Sequence, residues 1–408
     1  TDLVLDSTVK KVAEMAFHKA HYLETVTLPE SVTEIGNQAF NKCSALRKVI
    51  FSNGLKSLGF GAFGACGNLE EADLPEGIVD IGAEAFYNCV KLKSVNIVSS
   101  IKTIGKSAFN NCDGIQTLVI PDTVKDIGEY AFYSCGNLTS VTIGSGIHAM
   151  GAYAFAGCDK MTELTIAEGL TEIPGSAFSS CTALETLVIP KSVTRICQHA
   201  FSNCTALKNV SIGSGVTIIE KNVFAKCKGL ETIVIPDNVT TFGTHVFEKC
   251  ENLRNVTLGS GIDTVAQSMF AGCTSLETID IPENIRVIGP YAFSQCAGLK
   301  SITIPGIIGS IGHHAFFQCT NLKTLYFEGD APAMDAGMFM GVTATAYYPA
   351  DNATWTESVR QNYDGKITWV AVGEVEHTVT WVQATTSLEG NIGLNFYVKL
   401  SDSLVNNP

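Results

Sequence analysis

Charge is scarce in this chain. Only 16% of its 408 residues are Asp, Glu, Lys or Arg, while 46% are hydrophobic. Disordered chains have the opposite balance, so a packed core is expected. Long hydrophobic runs are missing as well: none approaches the ~18 consecutive apolar residues that a membrane helix needs. Basic residues are outnumbered 27 to 40, for a net charge of -13. Binding to phosphate backbones needs the reverse excess, which excludes nucleic acid as the partner class. The acidic surplus is read as keeping a long apolar-cored protein soluble.

Reactive constellations are equally sparse. No CxxC pair or cysteine–histidine cluster has zinc-ligand spacing, so no metal is expected. No glycine-rich phosphate loop follows a strand, and no Gly-x-Ser-x-Gly elbow has partners. The expectation is a non-catalytic chain without a cofactor. No leader precedes Thr1, which opens inside repeat-like sequence, and this points to a mature or trimmed fragment.

What the sequence does have is repetition. Ile35-Gly36-Asn37-Gln38-Ala39-Phe40-Asn41-Lys42-Cys43-Ser44-Ala45-Leu46 returns in near copy every 23 residues. The phenylalanine recurs without insertion or deletion from Phe17 through Phe155 to Phe316. The cysteine follows three places later from Cys43 to Cys319. Each unit reads Leu-x-x-Val-x-Ile, a Pro or Gly turn, Val-x-x-Ile-Gly, then Ala-Phe-x-x-Cys. The first part alternates and predicts a short strand. Ala-Phe-x-x-Cys has the spacing of one short helical turn, α or 3₁₀.

A unit this small cannot bury its own apolar face and must stack on its neighbours. The fold class is therefore a repeat solenoid of 14–15 coils, β-rich with short helical turns. Its strands should join into one parallel sheet along a rod about 65 Å long. Thirteen of the 14 cysteines share one phase, so they form a column. Neighbours about 4.8 Å apart with parallel Cβ vectors suit free buried thiols better than disulfides. Cys197 stands outside the column in the glycine slot, where a reactive thiol or a partner for Cys204 competes with the reading adopted, a tolerated small residue.

A two-coil beat lies over the single coil. Pro29, Pro75 and Pro121 alternate with glycine-rich turns, and Glu24, Arg47, Glu70 and Lys93 alternate in sign. The second pattern predicts ion pairs between adjacent rungs.

The domain reading assigns residues 1–350 to the solenoid, with Asp330 to Ala350 as a degenerate last coil. Residues 351–372 form a C-terminal cap, with Trp355 and Tyr363 in a short helix and Ile367 to Val372 as a strand. Residues 373–378 are a linker, and residues 379–408 open a further β domain with strands Val379–Val382 and Ile392–Leu400.

The phrase Ile-Gly-x-x-Ala-Phe-x-x-Cys-x-x-Leu-x-x-Val-x-Ile-Pro, carried by about residues 1–350, closely resembles the BspA-type leucine-rich repeat. The resemblance implies a bacterial surface or secreted protein that binds or adheres, and it carries over no catalytic residues. It also implies a host or microbial surface protein or glycan as partner. The competing expectation is a spacer or targeting region of a larger secreted enzyme.

Candidate contact residues come from what varies between copies. Tyr130, Tyr153, His199, His245, Tyr291 and His314 share one phase and form a broken column, read either as a ligand ridge or as packing at a turn. His199 and His245 are two coils apart, about 10 Å, too far to share a metal. The outward strand positions are small and neutral, as in Thr117, Ser140, Thr142 and Thr165, which suits an extended partner surface. Tyr326 is the first large aromatic in the second outward column and the leading contact candidate.

Overall fold

A computed structural model describes residues 1–373 and the strands Thr380–Ser387 and Gly393–Lys399. The chain winds as a stack of coils, most of them with two short strands. One strand comes from the Leu-x-x-Val-x-Ile part, as in Thr117–Ile120, Ser140–Ile143 and Glu163–Ile166. The other is two residues long and precedes the glycine, as in Thr103–Ile104 and Asp126–Ile127. Each pairs in parallel with its equivalent 23 residues away, so that Ser140 faces Thr117 on one side and Glu163 on the other. Outward and inward residues alternate strictly: Thr117 and Val119 are exposed while Leu118 and Ile120 are buried.

The core is a stack of rings. Phe17 to Phe339 superpose coil on coil, with adjacent centroids 5.0–5.9 Å apart and planes within 20° of parallel. Phe40 to Phe293 are fully buried. Truncating one such ring to alanine typically costs about 3–5 kcal/mol.

The segment around each phenylalanine is a chain of turns, not the helical turn its spacing predicts. Alternate N–H groups leave the coil: Gln38 N donates to Phe60 O (2.7 Å), Phe40 N to Ala62 O (2.8 Å) and Lys42 N to Gly64 O (2.8 Å). The groups between them close local turns, Asn41 N to Gln38 O and Cys43 N to Phe40 O. A helix would keep all of these within one segment; here half of them join coils. The cost is a left-handed backbone two residues before and two after each phenylalanine, at Gln38 (φ 54°) and Lys42 (φ 62°) for example.

The cysteines form the expected column and are all free. They do more than fill space. Each column thiol donates to the carbonyl of the phenylalanine one coil back, from Cys43 to Phe17 O through Cys319 to Phe293 O, at 3.0–3.4 Å. The glycine that precedes most of these turns sits at a close approach of backbones: a Cβ on Gly82 would lie 2.3 Å from Leu58 O.

The Leu-x-x-Val-x-Ile strands do not make one continuous sheet. They fall into four runs, while the two-residue strands fall into three. The first gap lies between Lys48–Ile50 and Thr117–Ile120. There the Asn96 side chain takes over the ladder, its Oδ1 accepting from Leu74 N (2.8 Å) and its Nδ2 donating to Leu74 O (3.2 Å). The alternating charges do pair between rungs: Lys93 with Glu70 (2.5 Å), Lys208 with Glu185 (2.9 Å) and Lys300 with Glu277 (2.6 Å). The two-coil beat has a backbone cause too. Asp122 accepts from Ser145 N (2.7 Å) and Asp237 from Ser260 N (2.8 Å), each acid capping the turn of the next coil.

The fifteenth coil exists, with Phe339 stacked on Phe316 at 5.9 Å. Its register differs from the expected one by two residues, because Leu325 pairs with Ala346 rather than Tyr348. Beyond it Lys366–Val372 adds one more parallel strand to Thr343–Pro349. Residues 351–365 contain turns and no helix, so the short helix expected around Trp355 and Tyr363 is not formed. Pro349, Asn352 and Gly365 punctuate the segment, and Asn352 and Thr354 bond to each other instead of propagating a helix. Trp355 packs edge-on to Phe327 (4.8 Å) and against Tyr348 (5.4 Å) and Trp369 (5.6 Å), closing this end of the core. Thr380–Ser387 and Gly393–Lys399 pair as an antiparallel hairpin. Val379, Ile392, Leu400 and most of the expected linker lie outside the described residues.

The thiol column sets a pH limit. Burial pushes Cys89, Cys135 and Cys319 up to about 12. The unfolded chain releases these protons above about pH 8.5, while the folded chain keeps them. Stability is therefore intact below that pH and falls as pH rises from about 9 towards 12, by about 1.4 kcal/mol per affected thiol per pH unit. Urea midpoints measured at pH 7, 9 and 10 should drop steeply above 9, and Cys135→Ala should flatten the slope. A midpoint constant from pH 7 to 10 would contradict a buried, protonated column.

Candidate binding surface

Two surfaces vary from coil to coil, the outward face of the longer strands and the turn flank beside the phenylalanines. On the strand face Val119, Val188 and Val234 are 60–65% exposed, separated by Thr142, Thr165 and Ser211 in the same column. Tyr326 ends that column at 46% exposure. It stacks on Tyr347 at 5.1 Å with planes 12° apart, a pair created by the two-residue register shift. Ring faces cover each other, so edges and hydroxyls point to solvent.

On the turn flank, Tyr130, Tyr153, His199, His245, Tyr291 and His314 all occupy the left-handed position two before a phenylalanine (φ 56–60°). The structure joins some of them and separates others. Tyr130 and Tyr153 stack at 4.9 Å, and Tyr291 and His314 at 5.1 Å. His199 lies 3.4 Å from the Asn222 amide nitrogen, and Asn222 stands between it and His245. Ser268 separates His245 from Tyr291. The seven sequence candidates thus fall into separate groups on two faces, not one site.

Side chains outside the expected phase complete these groups. Tyr133 stands edge-on to Tyr130 (5.5 Å), and Lys106 Nζ lies 5.9 Å from the Tyr130 ring centre while paired to Glu129 at 2.6 Å. His313 stands edge-on to Tyr291 at 4.9 Å. Tyr87, in the same phase as Tyr133 and two coils before it, is also exposed. Pairing phases rather than reading one column would have found them.

Electrostatics mark the coil that carries His199 and Cys197. Burial, then the neighbouring Lys221 and Lys226, hold His199 below the usual imidazole range. Cys197 is half-buried, and its thiol is pushed up to about 11 by burial, with Glu172 and Glu220 adding to the effect. That environment opposes thiolate formation, and neither Cys197 nor Cys204 is paired. Among the described residues no group of three or more His, Cys, Asp or Glu side chains is placed to hold a metal ion.

The family model for the BspA type leucine-rich repeat region matches residues 1–116, 102–231 and 217–345, in six copies. The chain belongs to the BspA-type leucine-rich repeat family. That family is typically surface-associated, and leucine-rich repeat proteins usually bind other proteins. A leucine-rich repeat protein from Bacteroides ovatus is 24% identical over 85% of this chain and 92% of its own, with a TM-score of 0.63, and shares the fold. A leucine-rich cell surface protein from Faecalibacterium prausnitzii is 28% identical over 79% of this chain and 84% of its own, with a TM-score of 0.44. The pneumococcal vaccine antigen PcpA is 19% identical over 91% of this chain and 89% of its own, with a TM-score of 0.47. No curated protein matches the sequence. Among the described residues of this BspA-type chain, no helix is long and apolar enough to cross a membrane.

The flank positions explain their own residue choice. Both left-handed positions of every coil hold Gly, Ser, Asn, His, Lys, Gln, Tyr or another unbranched residue, never Val, Ile or Thr. Branching at Cβ is costly at positive φ. Ala65 (φ 58°) tests this without disturbing a side-chain bond. Ala65→Gly should raise unfolding stability by about 1 kcal/mol, and Ala65→Val should lower it by at least as much. Equal melting temperatures for the two variants would contradict the strain assigned to this position.

Proposed function

We propose that this chain is a non-catalytic binding and adhesion module, secreted or displayed on a bacterial surface, that recognises a protein or glycan surface. The carrying observation is that the core is the same in every coil while the outward positions differ. A solenoid of this kind offers an extended surface with exposed valines, threonines and tyrosines rather than one enclosed cleft with converging polar groups. Membership of a typically surface-associated family supports the location. Tyr326 with Tyr347, and Tyr130 with Tyr133 and Tyr153, are the proposed contact groups, since half-exposed tyrosines combine apolar area with a hydroxyl at low entropic cost. His199, His245, Tyr291 and His314 belong to the same flank. The division into solenoid to residue 350, cap to 372 and a further β domain from 379 is retained as part of this proposal. The hairpin Thr380–Ser387 with Gly393–Lys399 favours a second reading, in which the solenoid positions another module.

Saturable binding of the purified chain is expected to at least one of immobilised matrix proteins, mucins, glycan arrays or whole microbial cells. Tyr326→Ala or Tyr133→Ala should weaken it about tenfold or more with unchanged melting temperature. Binding to none of these surfaces, or binding indifferent to every exposed tyrosine, would contradict the proposal.

A further inference from the structure

The protein carries a net charge of -13, yet one stretch of its turn flank gathers lysines and histidines. Three consecutive coils bring Lys221, Lys226 and Lys249 beside His199, Asn222 and His245. They occupy three phases of the flank, Lys221 three residues before its phenylalanine, His199, Asn222 and His245 two before, and Lys226 and Lys249 two after, and all but Lys221 have a positive φ between 58° and 63°. The left-handed backbone is held by bonds between coils, from His199 N to Lys221 O (3.1 Å) and from Lys226 N to Glu248 O (2.7 Å). The donors are therefore presented on a rigid lattice with the rise of one coil, about 4.8 Å.

Among the described residues Lys221 and Lys226 are in no ion pair. The nearby carboxylates are mostly engaged: Glu220 is bound to Arg195 Nε (2.9 Å) and to Gln198 N (2.8 Å), and Glu248 sits 3.8 Å from Lys249. Elsewhere on the rod the rungs pair lysine with glutamate, as in Lys106–Glu129 at the position equivalent to Lys221 on an earlier coil. Lys221 and Lys226 thus stand, among the described residues, without a carboxylate partner, beside a His199–Asn222 pair bonded at 3.4 Å.

We infer that this patch binds a short sulfated glycan. The reading rests on the binding function above and names the ligand class of one part of the flank. Cationic and amide donors in register select clustered oxyanions. The patch spans only three coils, and the acidic remainder of the rod repels a long polyanion, which disfavours nucleic acid. The spacing of one coil is close to the length of one sugar residue, so sulfates on successive residues can meet successive rungs. His199 and His245 lie within the patch, and the lysines that discourage protonation of His199 are the groups an oxyanion would neutralise.

The test is binding of the full chain to a heparin-derived hexasaccharide at 25, 100 and 300 mM NaCl. Its desulfated counterpart, a phosphorylated oligosaccharide of equal length and a single-stranded DNA hexamer serve as competing ligands. Expected are saturable binding to the sulfated sugar that weakens with salt, at least a tenfold loss on desulfation, and at least a tenfold loss in the Lys221→Gln and Lys226→Gln double variant. Lys11→Gln, at a lysine paired to Glu34 outside the patch, should leave it unchanged. No binding at 25 mM NaCl, equal binding of the desulfated sugar, tighter binding of DNA or of the phosphorylated sugar, or indifference to the double variant would overturn the inference. If the double variant still holds a protein or cell surface that the native chain binds, the general binding function stands and only this site falls.

Discussion

One coil of this chain cannot exist alone, because the ring at its centre has two faces and the coil covers neither. Phe155 is completed by Phe132 below at 5.1 Å and Phe178 above at 5.4 Å. That dependence fixes the repeat length: a single inserted residue would break the ring stack, the thiol column and both strand ladders together. The same constraint forces half of the turn-segment N–H groups to bond across coils, and so puts two residues per coil into left-handed backbone. Most other regularities follow from it, including glycine where neighbouring backbones nearly touch and cysteine where a small side chain must also donate to a carbonyl.

Function is displaced to what the core leaves free. The strand face and the turn flank are built by the same coils but under different rules. On the strand face any side chain suited to a pleated sheet is tolerated, and ion pairs, hydroxyls and valines alternate there. On the flank positive φ excludes branched residues and enriches histidine and asparagine, so part of the tyrosine and histidine column is conformational in origin. The remaining choice among tyrosine, histidine and lysine at these positions is not dictated by the backbone. Under the binding function proposed above, that choice is where recognition would be encoded.

Much of this was legible in the sequence because an unbroken 23-residue period leaves few geometries open. The strands, the ring stack, the free thiols and the rung-to-rung pairing of Glu70 with Lys93 all follow from phase alone. The helical turn did not survive, because a spacing of three residues between Phe40 and Cys43 fits a chain of turns equally well and local spacing carries no information on bonds between coils. The gap in the strand runs at Asn96 was hidden because a side chain there imitates a ladder backbone. Tyr347 was missed as the partner of Tyr326 since the last coil shortens by two residues, which only the pairing of Leu325 with Ala346 reveals. Candidate site residues sharing a phase were correctly placed on one flank, but phase could not say that Asn222 and Ser268 divide them.

The most direct measurement of the ring-stack dependence is equilibrium urea unfolding of Phe155→Ala beside the native chain. A loss of about 3–5 kcal/mol is predicted, since the change opens a cavity between two rings that nothing else can fill. A loss below about 1 kcal/mol would mean that the phenylalanine column is not what holds the coils together.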